Sequence, residues 1–260
     1  MNSTNLQTLL ASDFFVNAKS SSYLKNKIEH FIGQIERDRA FVVYYIYLGT
    51  LFYFYIDDYF LKSFNAASEV YLDGVFTGWI IKLITGKEHV PFSTQDYFPA
   101  ILSYCEKNGK RVFLLGSDAD TVENAVNKLE NEYPHLNVES NDGYFEKDKA
   151  ILDKINLYNP DLIVVGMGLS IQEKWVSASL DKFKSHPVII CVGNYIDILG
   201  GRVNLPPGFF RKYNIRWLYR IFMEPRVIRR YVGGIFVVLL LIYTSTVHKK
   251  RSIWLNLFKK

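Results

Sequence analysis

The stretch that decides the fold is Val164-Val165-Gly166-Met167-Gly168-Leu169-Ser170-Ile171-Gln172-Glu173-Lys174-Trp175. An apolar run stops at two glycines spaced by one residue, and a polar pair then opens a segment with helical spacing. This order predicts a strand, a tight loop and a helix N-terminus. Backbone N–H groups in such a loop, together with the helix dipole, suit a phosphate or another anion. The stretch therefore indicates an enzyme that uses a nucleotide, although a capped first helical turn explains Gln172 and Glu173 equally well.

The same pattern recurs on both sides of this stretch. Apolar runs that end at Gly or Asp predict strands at residues 69–72, 111–115, 162–165 and 188–192, a short strand is predicted at residues 136–138, and helical spacing lies between the strands. Residues 40–54 are aromatic and β-branched without a helical period, which predicts one more buried strand. The alternation predicts an α/β fold with a Rossmann-like, mostly parallel sheet flanked by helices. Ligands of such sheets bind at the carboxyl ends of the strands, so the loops that begin at Asp73, Gly116, Gly166 and Gly193 are expected to form the site.

The charge of the chain is concentrated near its end. The 260 residues are 49% hydrophobic and carry a formal net charge of +5. Residues 211–260 hold twelve Lys and Arg against one acid, Glu224. We therefore expect a core at residues 1–205 and a basic, apolar, membrane-associating appendage at residues 206–260, with the boundary at Pro206-Pro207-Gly208. Nucleic acid is not an expected partner, because the basic residues alternate with a long apolar run.

That apolar run, residues 231–247, is uncharged and flanked by basic residues on both sides. As a helix with a rise of ~1.5 Å per residue it would extend roughly 25 Å, short of a ~30 Å hydrocarbon core. A buried core helix, an interfacial or re-entrant membrane helix and a true span all stay open. The basic flanks favour a helix that lies along an anionic leaflet.

Two further features concern the compartment. Cys105 and Cys191 are the two cysteines, and both lie in patterns typical of buried elements. They are expected to be reduced thiols, which fits a cytosolic location. Residues 1–12 have no basic segment followed by an apolar block, so a signal peptide is not expected.

Residues 24–231 also carry a series of motifs in sequence order: Ala67-Ser68-Glu69-Val70-Tyr71-Leu72-Asp73-Gly74, Val112-Phe113-Leu114-Leu115-Gly116, Asp142-Gly143-Tyr144-Phe145, Pro160-Asp161-Leu162, Val165-Gly166-Met167-Gly168, Gln172-Glu173-Lys174-Trp175, Gly193, Asp197, Gly201, Trp217-Leu218-Tyr219-Arg220 and Glu224-Pro225-Arg226. On these motifs the chain resembles the WecG/TagA/CpsF glycosyltransferases (glycosyltransferase family 26).

The resemblance implies an inverting, metal-independent enzyme without a cofactor, which moves a sugar from a UDP-sugar to a polyprenyl-diphosphate-linked saccharide. The product would enter a bacterial cell-surface polysaccharide such as an exopolysaccharide. The enzyme would lie at the cytoplasmic face of the inner membrane, as a peripheral or monotopic protein, and a homo-oligomer stays open.

The chain also departs from the family pattern. Tyr45-Ile46-Tyr47 stands where the family usually has Thr-x-Asn, Cys191 stands for Gly, and Leu205-Pro206-Pro207 stands for Arg-Ala-Pro. These changes keep a second function open, that of a catalytically inactive relative that acts as a scaffold in a polysaccharide-assembly complex. A dinucleotide oxidoreductase is disfavoured, because the Gly166-Met167-Gly168 loop lacks a third glycine at the fingerprint spacing.

The candidate site residues fall into three groups. Asp73 ends a predicted strand beside a glycine, and the resemblance makes it the general base, while a plain Asp-Gly turn is the alternative. The nucleotide-sugar group is Gly116, Ser117, Tyr144, Gly166, Gly168, Gln172, Glu173, Gly193 and Asp197. The diphosphate group, in the basic tail, is Arg220, Arg226 and Arg229, since arginine pairs with diphosphates. No metal is expected, because Asp118-Ala119-Asp120 is explained by a helix cap at Asp120-Thr121-Val122-Glu123.

Overall fold

One parallel sheet organises the molecule. The computed structural model describes residues 23–37, 39–85, 92–146, 148–205, 207, 209–210, 216–223, 228–229, 231–240 and 243. The strands in this part of the chain are β1 (Phe41–Ile46), β2 (Glu69–Leu72), β3 (Arg111–Gly116), β4 (Asn137–Asn141), β5 (Leu162–Gly166) and β6 (Val188–Cys191). Their order is β2-β1-β6-β5-β3-β4, and every neighbouring pair is parallel. The predicted α/β fold is confirmed, and the sheet is parallel throughout.

Helices connect the strands and cover both faces of the sheet. They are α1 (Tyr23–Ile35), α2 (Leu48–Ile56), α3 (Asp58–Ser63), α4 (Val75–Thr85), α5 (Thr94–Lys107), α6 (Ala119–Glu132), α7 (Asp148–Tyr158), α8 (Ile171–Ser179), α9 (Tyr195–Leu199) and α10 (Arg216–Met223), with short 3₁₀ turns at Phe64–Ala66 and Leu180–Lys182. Alternate residues of each strand enter opposite core layers. In β5, for example, Ile163 and Val165 pack on one face while Leu162 and Val164 pack on the other. Both faces are therefore covered, as a parallel sheet requires.

One predicted element is wrong in part. Residues 40–54 do not form a single strand, because β1 ends at Ile46 and α2 begins at Leu48. The side chain of Thr50 accepts a hydrogen bond from the Tyr47 N–H at 3.2 Å, which starts the helix. Leu48, Leu51 and Phe54 are buried in the core. A helix that is apolar around most of its circumference has no amphipathic period, so the sequence pattern did not distinguish it from a strand.

The tail helix packs on the outer side of α2. Residues 231–240 are helical. A Cβ atom on Gly234 would lie 2.3 Å from the Leu48 carbonyl oxygen, and one on Gly233 would lie 2.6 Å from the Phe52 ring. Val237 and Val238 join the core layer on this face of the sheet. This face of the helix fits the interpretation as a core helix, and the two glycines permit its close approach to α2.

The opposite face of the tail helix is apolar and exposed. Its large exposed side chains are Val232, Ile235, Phe236 and Leu239, and Tyr243 further along the chain is exposed as well. In the described part of the chain, no helix is long and apolar enough to cross a membrane. Residues 244–247, the end of the apolar run, lie outside the described residues. Cys105 and Cys191 are buried and unpaired, as expected.

Candidate active site

A cavity of about 670 Å³ opens at the carboxyl edge of the sheet. The loop after each of the six strands contributes to its lining, together with the first turn of α5: Tyr47, Asp73, Ser117, Tyr144, Gly168, Gly193 and Thr94. Three strand spacings of about 4.8 Å lie between β2 and β5, so Asp73 and the Gly168 loop are roughly 14 Å apart along the edge of the sheet. The predicted edge therefore carries an elongated cleft.

The first end of this cleft, which we call the tyrosine end, consists of Tyr45, Tyr47, Asp73 and residues 93–95 of the α5 N-terminus. Asp73 follows β2 directly, and its backbone N–H donates to the Ile46 carbonyl oxygen at 2.9 Å. This bond extends the β1–β2 ladder by one residue, which holds Asp73 at the rim. Asp73 is half-buried and lines the cavity.

The other end, which we call the glycine end, consists of the loops after β3, β4 and β5 together with Asp197 and Arg202. Here two backbones come unusually close. A Cβ atom on Gly116, whose φ is +148°, would lie 2.4 Å from the carbonyl carbon of Gly166. Gly166 lines the cavity and Gly116 does not. Gly116 therefore supports the site without lining it, because it permits the ends of β3 and β5 to pack closely side by side.

Gly168 differs from Gly116 because open space, not a neighbouring backbone, surrounds it. Its φ is +89°, and no atom lies within 4 Å of the position that a Cβ would occupy. Gly193, with a φ of +60°, has the same open surroundings. Both residues line the cavity. Their backbones turn at the edge of empty space, so a ligand can approach them closely.

The first turn of α8 is capped from inside the protein. The Glu173 carboxylate accepts hydrogen bonds from the Ser170 N–H and the Gln172 side-chain amide, both at 2.8 Å. Glu173 is 1% exposed, and this burial raises the pKa of its carboxyl group to about 7. The capped turn that the sequence left as an alternative is therefore present, and Glu173 holds the loop together.

Gln172 links two neighbouring loops. Its amide nitrogen donates to Glu173, and its carbonyl oxygen accepts from the Gly193 N–H at 3.3 Å. The loops after β5 and β6 are thereby joined across the cavity floor. Both Gln172 and Glu173 line the cavity, but their polar atoms are engaged in these bonds. Any contact that they make with a ligand would add to this structural role.

Ser117 and Asp197 meet where the loop after β3 reaches α9. The Ser117 hydroxyl donates to Oδ1 of Asp197 at 2.6 Å. Ser117 has a φ of 60°, in the left-handed region that a serine seldom adopts. The strained turn points its side chain at Asp197, and both residues line the cavity. The sequence proposed each residue separately, and the structure brings them together.

Tyr144 stands at the far side of the glycine end, after β4. Its backbone N–H donates to Oδ1 of Asp142 at 2.8 Å, which closes the Asp142-Gly143-Tyr144 turn. The side chain is 75% exposed and lines the cavity. A tyrosine ring held at a cavity wall with so little cover has a free face for a flat ligand.

Comparison of the sequence with known protein families decides which family this chain belongs to. The sequence profile described as the Glycosyl transferase WecG/TagA/CpsF family matches residues 16–252. The chain belongs to this family. The resemblance drawn from the motifs is thereby confirmed.

Relatives in the family include N-acetylglucosaminyldiphosphoundecaprenol N-acetyl-beta-D-mannosaminyltransferases of Staphylococcus aureus. The protein of strain MW2 is 32% identical over 178 residues, which cover 66% of this chain and 67% of the relative. Those of strains NCTC 8325 and MRSA252 are 31% and 30% identical over the same length and shares.

Two of the residues at which a departure from the family pattern is expected, Tyr45 and Tyr47, lie at the tyrosine end. Tyr45 is 9% exposed, and its hydroxyl is hydrogen-bonded to the hydroxyl of Tyr97 in α5. Burial raises the pKa of the Tyr45 hydroxyl well above its usual value. Tyr47 is more exposed and belongs to the cavity wall. Aromatic rings therefore form the wall beside Asp73 in this family member.

The three tail arginines are placed unequally. Arg220 lies in α10, but its side chain is not among the described parts of the structure. Arg226 lies outside the described residues. Arg229 is helical and exposed. Met223, the last residue of α10, does line the cavity. This part of the tail therefore reaches the site, while a role for the three arginines stays a prediction.

Sequence reasoning missed Arg202, which lines the glycine end. Its guanidinium Nη1 lies 2.6 Å from Oδ2 of Asp118 and 3.8 Å from Oδ1 of Asp197. The signal was the Gly200-Gly201 pair directly before it, which indicates a tight turn beside Asp197. The prediction instead assigned the cationic groups to the more conspicuous arginines of the tail.

The Asp118-Ala119-Asp120 segment caps a helix as predicted, but the prediction of Asp120 as the capping residue is wrong. The Asp118 carboxylate, rather than that of Asp120, accepts from the Thr121 N–H at 2.9 Å. With this bond and the Arg202 contact, Asp118 is fully engaged. Among the described residues, no three His, Cys, Asp or Glu side chains cluster as a metal site.

Proposed function

We propose that this protein is an inverting, metal-independent glycosyltransferase that moves a sugar from a UDP-sugar to a saccharide carried on a polyprenyl diphosphate. Membership of the glycosyltransferase family supports the reaction class. The names of the Staphylococcus aureus relatives, which specify an N-acetylglucosaminyldiphosphoundecaprenol acceptor, support the lipid-linked saccharide. The polymer would be a bacterial cell-surface polysaccharide.

The observation that carries the proposal is that Asp73 and the Gly168 loop line one cavity. Along the sheet edge the order is Tyr144, the Ser117–Asp197 pair, the Gly168 loop and then Asp73, because β4, β3, β5 and β2 follow one another in that direction. A UDP-sugar has the same order of parts. The uracil would stack on Tyr144, the ribose would meet Asp197, the diphosphate would lie on the glycine loop, and the sugar would face Asp73.

In this arrangement Asp73 removes the proton of an acceptor hydroxyl. The hydroxyl oxygen then forms a bond to the anomeric carbon of the donor sugar, from the side opposite the diphosphate. The bond between that carbon and the diphosphate oxygen breaks, and its electron pair leaves on UDP. One displacement inverts the configuration, and Arg220, Arg226 and Arg229 of the tail are proposed to stabilise the departing diphosphate.

The decisive experiment is a donor screen with the purified full chain and a synthetic polyprenyl-diphosphate-linked saccharide, in the presence and absence of EDTA. Transfer that resists EDTA is expected for at least one UDP-sugar. Asp73→Asn should lower kcat by about 10²- to 10⁴-fold, because a positioned base contributes that much. Its affinity for UDP, measured by calorimetry, should stay within a few-fold of the unaltered chain, since Asp73 stands at the other end of the cleft.

The scaffold alternative predicts a different pattern. A protein that binds UDP but transfers nothing from any donor in the panel would support a catalytically inactive relative. The Tyr45 and Tyr47 substitutions at the tyrosine end are the observation that favours this reading. Transfer by the unaltered chain that Asp73→Asn abolishes would exclude it.

We further propose that the enzyme lies on the cytoplasmic face of the inner membrane through its appendage. The tail helix exposes Val232, Phe236 and Leu239, and Ile56 at the end of α2, against which the tail helix packs, is exposed as well. Exposed large apolar side chains of this kind are typical of membrane contact. Basic residues on both sides of the helix suit an anionic leaflet.

Vesicles of phosphatidylglycerol test this location in a sedimentation assay. Phe236→Glu should reduce vesicle binding about tenfold or more, because one fully buried aromatic side chain contributes roughly 1.5–3 kcal/mol. The control is Leu157→Glu in α7, which also replaces an exposed apolar residue, 87% exposed, and lies outside the tail helix. Equal effects of the two substitutions would contradict a specific docking face.

A further inference from the structure

The side chain that the proposed function leaves unexplained is Arg202. Among the described residues that line the cavity, it is the one with a cationic side chain, whereas the carboxyl groups of Asp73, Glu173 and Asp197 line the same space. The backbone of the turn before Arg202 determines where this side chain lies. The inference below rests on the proposal that the cavity binds a UDP-sugar.

The turn before Arg202 is determined by two glycines. A Cβ atom on Gly200 would lie 2.1 Å from the carbonyl oxygen of Thr121, so only glycine permits α9 to pack against the start of α6. Gly201 has a φ of +76° and turns the chain back. The Val203 N–H then donates to the Asp197 carbonyl oxygen at 3.1 Å, which closes the loop over its own helix. This loop therefore holds Arg202 beside Asp118, the N-cap residue of α6.

The Asp197 carboxylate is held from two sides. The Ser117 hydroxyl donates to its Oδ1 at 2.6 Å, and Nη1 of Arg202 lies 3.8 Å from the same atom. Arg202 is itself held by Asp118 at 2.6 Å. Both contacts fall on Oδ1, and no hydrogen bond reaches Oδ2 from the described residues. Oδ2 is the oxygen that remains for a ligand.

A carboxylate with one oxygen engaged and the other available is suited to a vicinal diol, which donates two hydrogen bonds. An acidic side chain fulfils that role toward ribose hydroxyls in other parallel-sheet nucleotide sites. The Arg202 guanidinium beside Oδ1 and the Ser117 hydroxyl together restrain the orientation of this carboxylate.

We propose that Arg202 is a positioning residue for the ribose: with Ser117 it holds the Asp197 carboxylate so that Oδ2 accepts hydrogen bonds from the ribose diol of the donor nucleotide. Arg202 does not contact the diphosphate in this arrangement. Its effect on affinity therefore depends on the ribose hydroxyls and not on the number of phosphates.

Calorimetry with UDP and 2′,3′-dideoxy-UDP tests this role on the full chain. The unaltered protein should bind the dideoxy compound about tenfold or more weakly, because a buried hydrogen-bonding group is left unpaired. Arg202→Met should weaken UDP by about tenfold and dideoxy-UDP hardly at all, so the preference for the diol collapses. Ser117→Ala should reduce the same preference from the other side of Asp197.

Two controls separate this role from a structural one. Arg37→Met removes an exposed arginine at the amino edge of the sheet, where its partner is Gln34, and it should change neither affinity. In the Asp197→Asn background, Arg202→Met should cause no further loss, since residues that act through one group are not additive. Thermal unfolding of each variant checks that the fold is retained.

The outcomes are distinct. Equal weakening of UDP and dideoxy-UDP by Arg202→Met would overturn the positioning role and would assign Arg202 to the diphosphate or to the fold. Absence of UDP binding by the unaltered chain would overturn the proposed function and this inference together. A preference for the diol that survives in Arg202→Met would overturn the inference alone.

Discussion

The two ends of the cleft are built in different ways. At the glycine end, backbones approach one another and the polar side chains of Ser117, Gln172 and Glu173 bond within the protein. At the tyrosine end, aromatic side chains surround one carboxyl group, Asp73. The glycine end carries Gly166, Gly168, Gln172 and Glu173, on which the resemblance to the family was based, whereas Tyr45 and Tyr47 of the tyrosine end stand where a departure from the family pattern is expected. In the proposed function the nucleotide lies at the glycine end and the sugar at the tyrosine end, so we expect substitutions at the two ends to have different effects.

The largest expected effect concerns the backbone contact that supports the glycine end. Gly116→Ala should lower the free energy of unfolding by about 3 kcal/mol or more, because the new Cβ would overlap backbone atoms of Gly166 that cannot move aside. Urea unfolding measures the change. Gly168→Ala is the matched control, with a strained φ but open space, and should cost about 1–2 kcal/mol. Similar costs for both variants would contradict the distinction between supporting and ligand-facing glycines.

The second expectation concerns Glu173, which caps the first turn of α8 at the glycine end. Burial raises the pKa of its carboxyl group from 4.5 to about 7. Between these values the folded protein holds a proton that the unfolded chain has released, so the stability of the fold should decrease as the pH rises from about 4.5 to 7 and then level off. The upper limit of this change is about 3 kcal/mol, at 1.36 kcal/mol for each pKa unit.

Denaturant unfolding across that pH range, with Glu173→Gln beside the unaltered chain, checks the expectation. The variant should lack this part of the pH dependence, although it loses one of the two hydrogen bonds that Glu173 accepts. Parallel stability curves for the two proteins would show that the group titrates normally. The loop after β5 would then be held by an ordinary ionised carboxylate.

The third expectation sharpens the assignment of the glycine end. Tyr144→Ala should weaken UDP binding by about 1–3 kcal/mol, the contribution of one base stacked on an aromatic ring. Tyr144→Phe keeps the ring and should bind like the unaltered chain. Calorimetry measures both, and a loss in the Phe variant equal to that in the Ala variant would show that the hydroxyl, not stacking, is what the ligand uses.

The smallest expected effect belongs to the tyrosine end. Tyr45→Phe removes one hydroxyl from the buried Tyr45–Tyr97 pair and should lower the free energy of unfolding by about 1 kcal/mol. UDP affinity should not change, because the nucleotide is assigned to the opposite end. A marked loss of UDP affinity in Tyr45→Phe would break the comparison, since it would place the nucleotide beside Asp73.

Much of the fold was predictable because the decisive signals are local. Apolar runs that end at Asp73, Gly116 or Gly166 mark the carboxyl ends of buried parallel strands, and the cleft at those ends follows from the fold class. Helix α2 was missed because the sheet covers one side of it and the tail helix covers the other. Its burial depends on residues about 180 positions away in the sequence, which a local pattern does not reveal.

The site was predictable only as far as residue type indicates chemistry. The sequence placed Ser117 and Asp197 in the same functional group, but their hydrogen bond depends on the left-handed turn at Ser117. Arg202 was missed because its importance comes from the close contact of Gly200 with Thr121, a tertiary feature. Glu173 was ambiguous for a physical reason, since a capping carboxylate and a ligand-binding carboxylate occupy the same position of a helix.

The two native thiols have a practical consequence for future spectroscopy. Cys105 and Cys191 are both buried, and burial raises the pKa of the Cys105 thiol to about 12 and that of Cys191 well above its usual value. Alkylating reagents attack thiolates, so both side chains should react slowly at neutral pH. A single cysteine introduced at Leu239 would react far faster, and a spin label attached there could report immersion depth in a bilayer without removal of either native thiol.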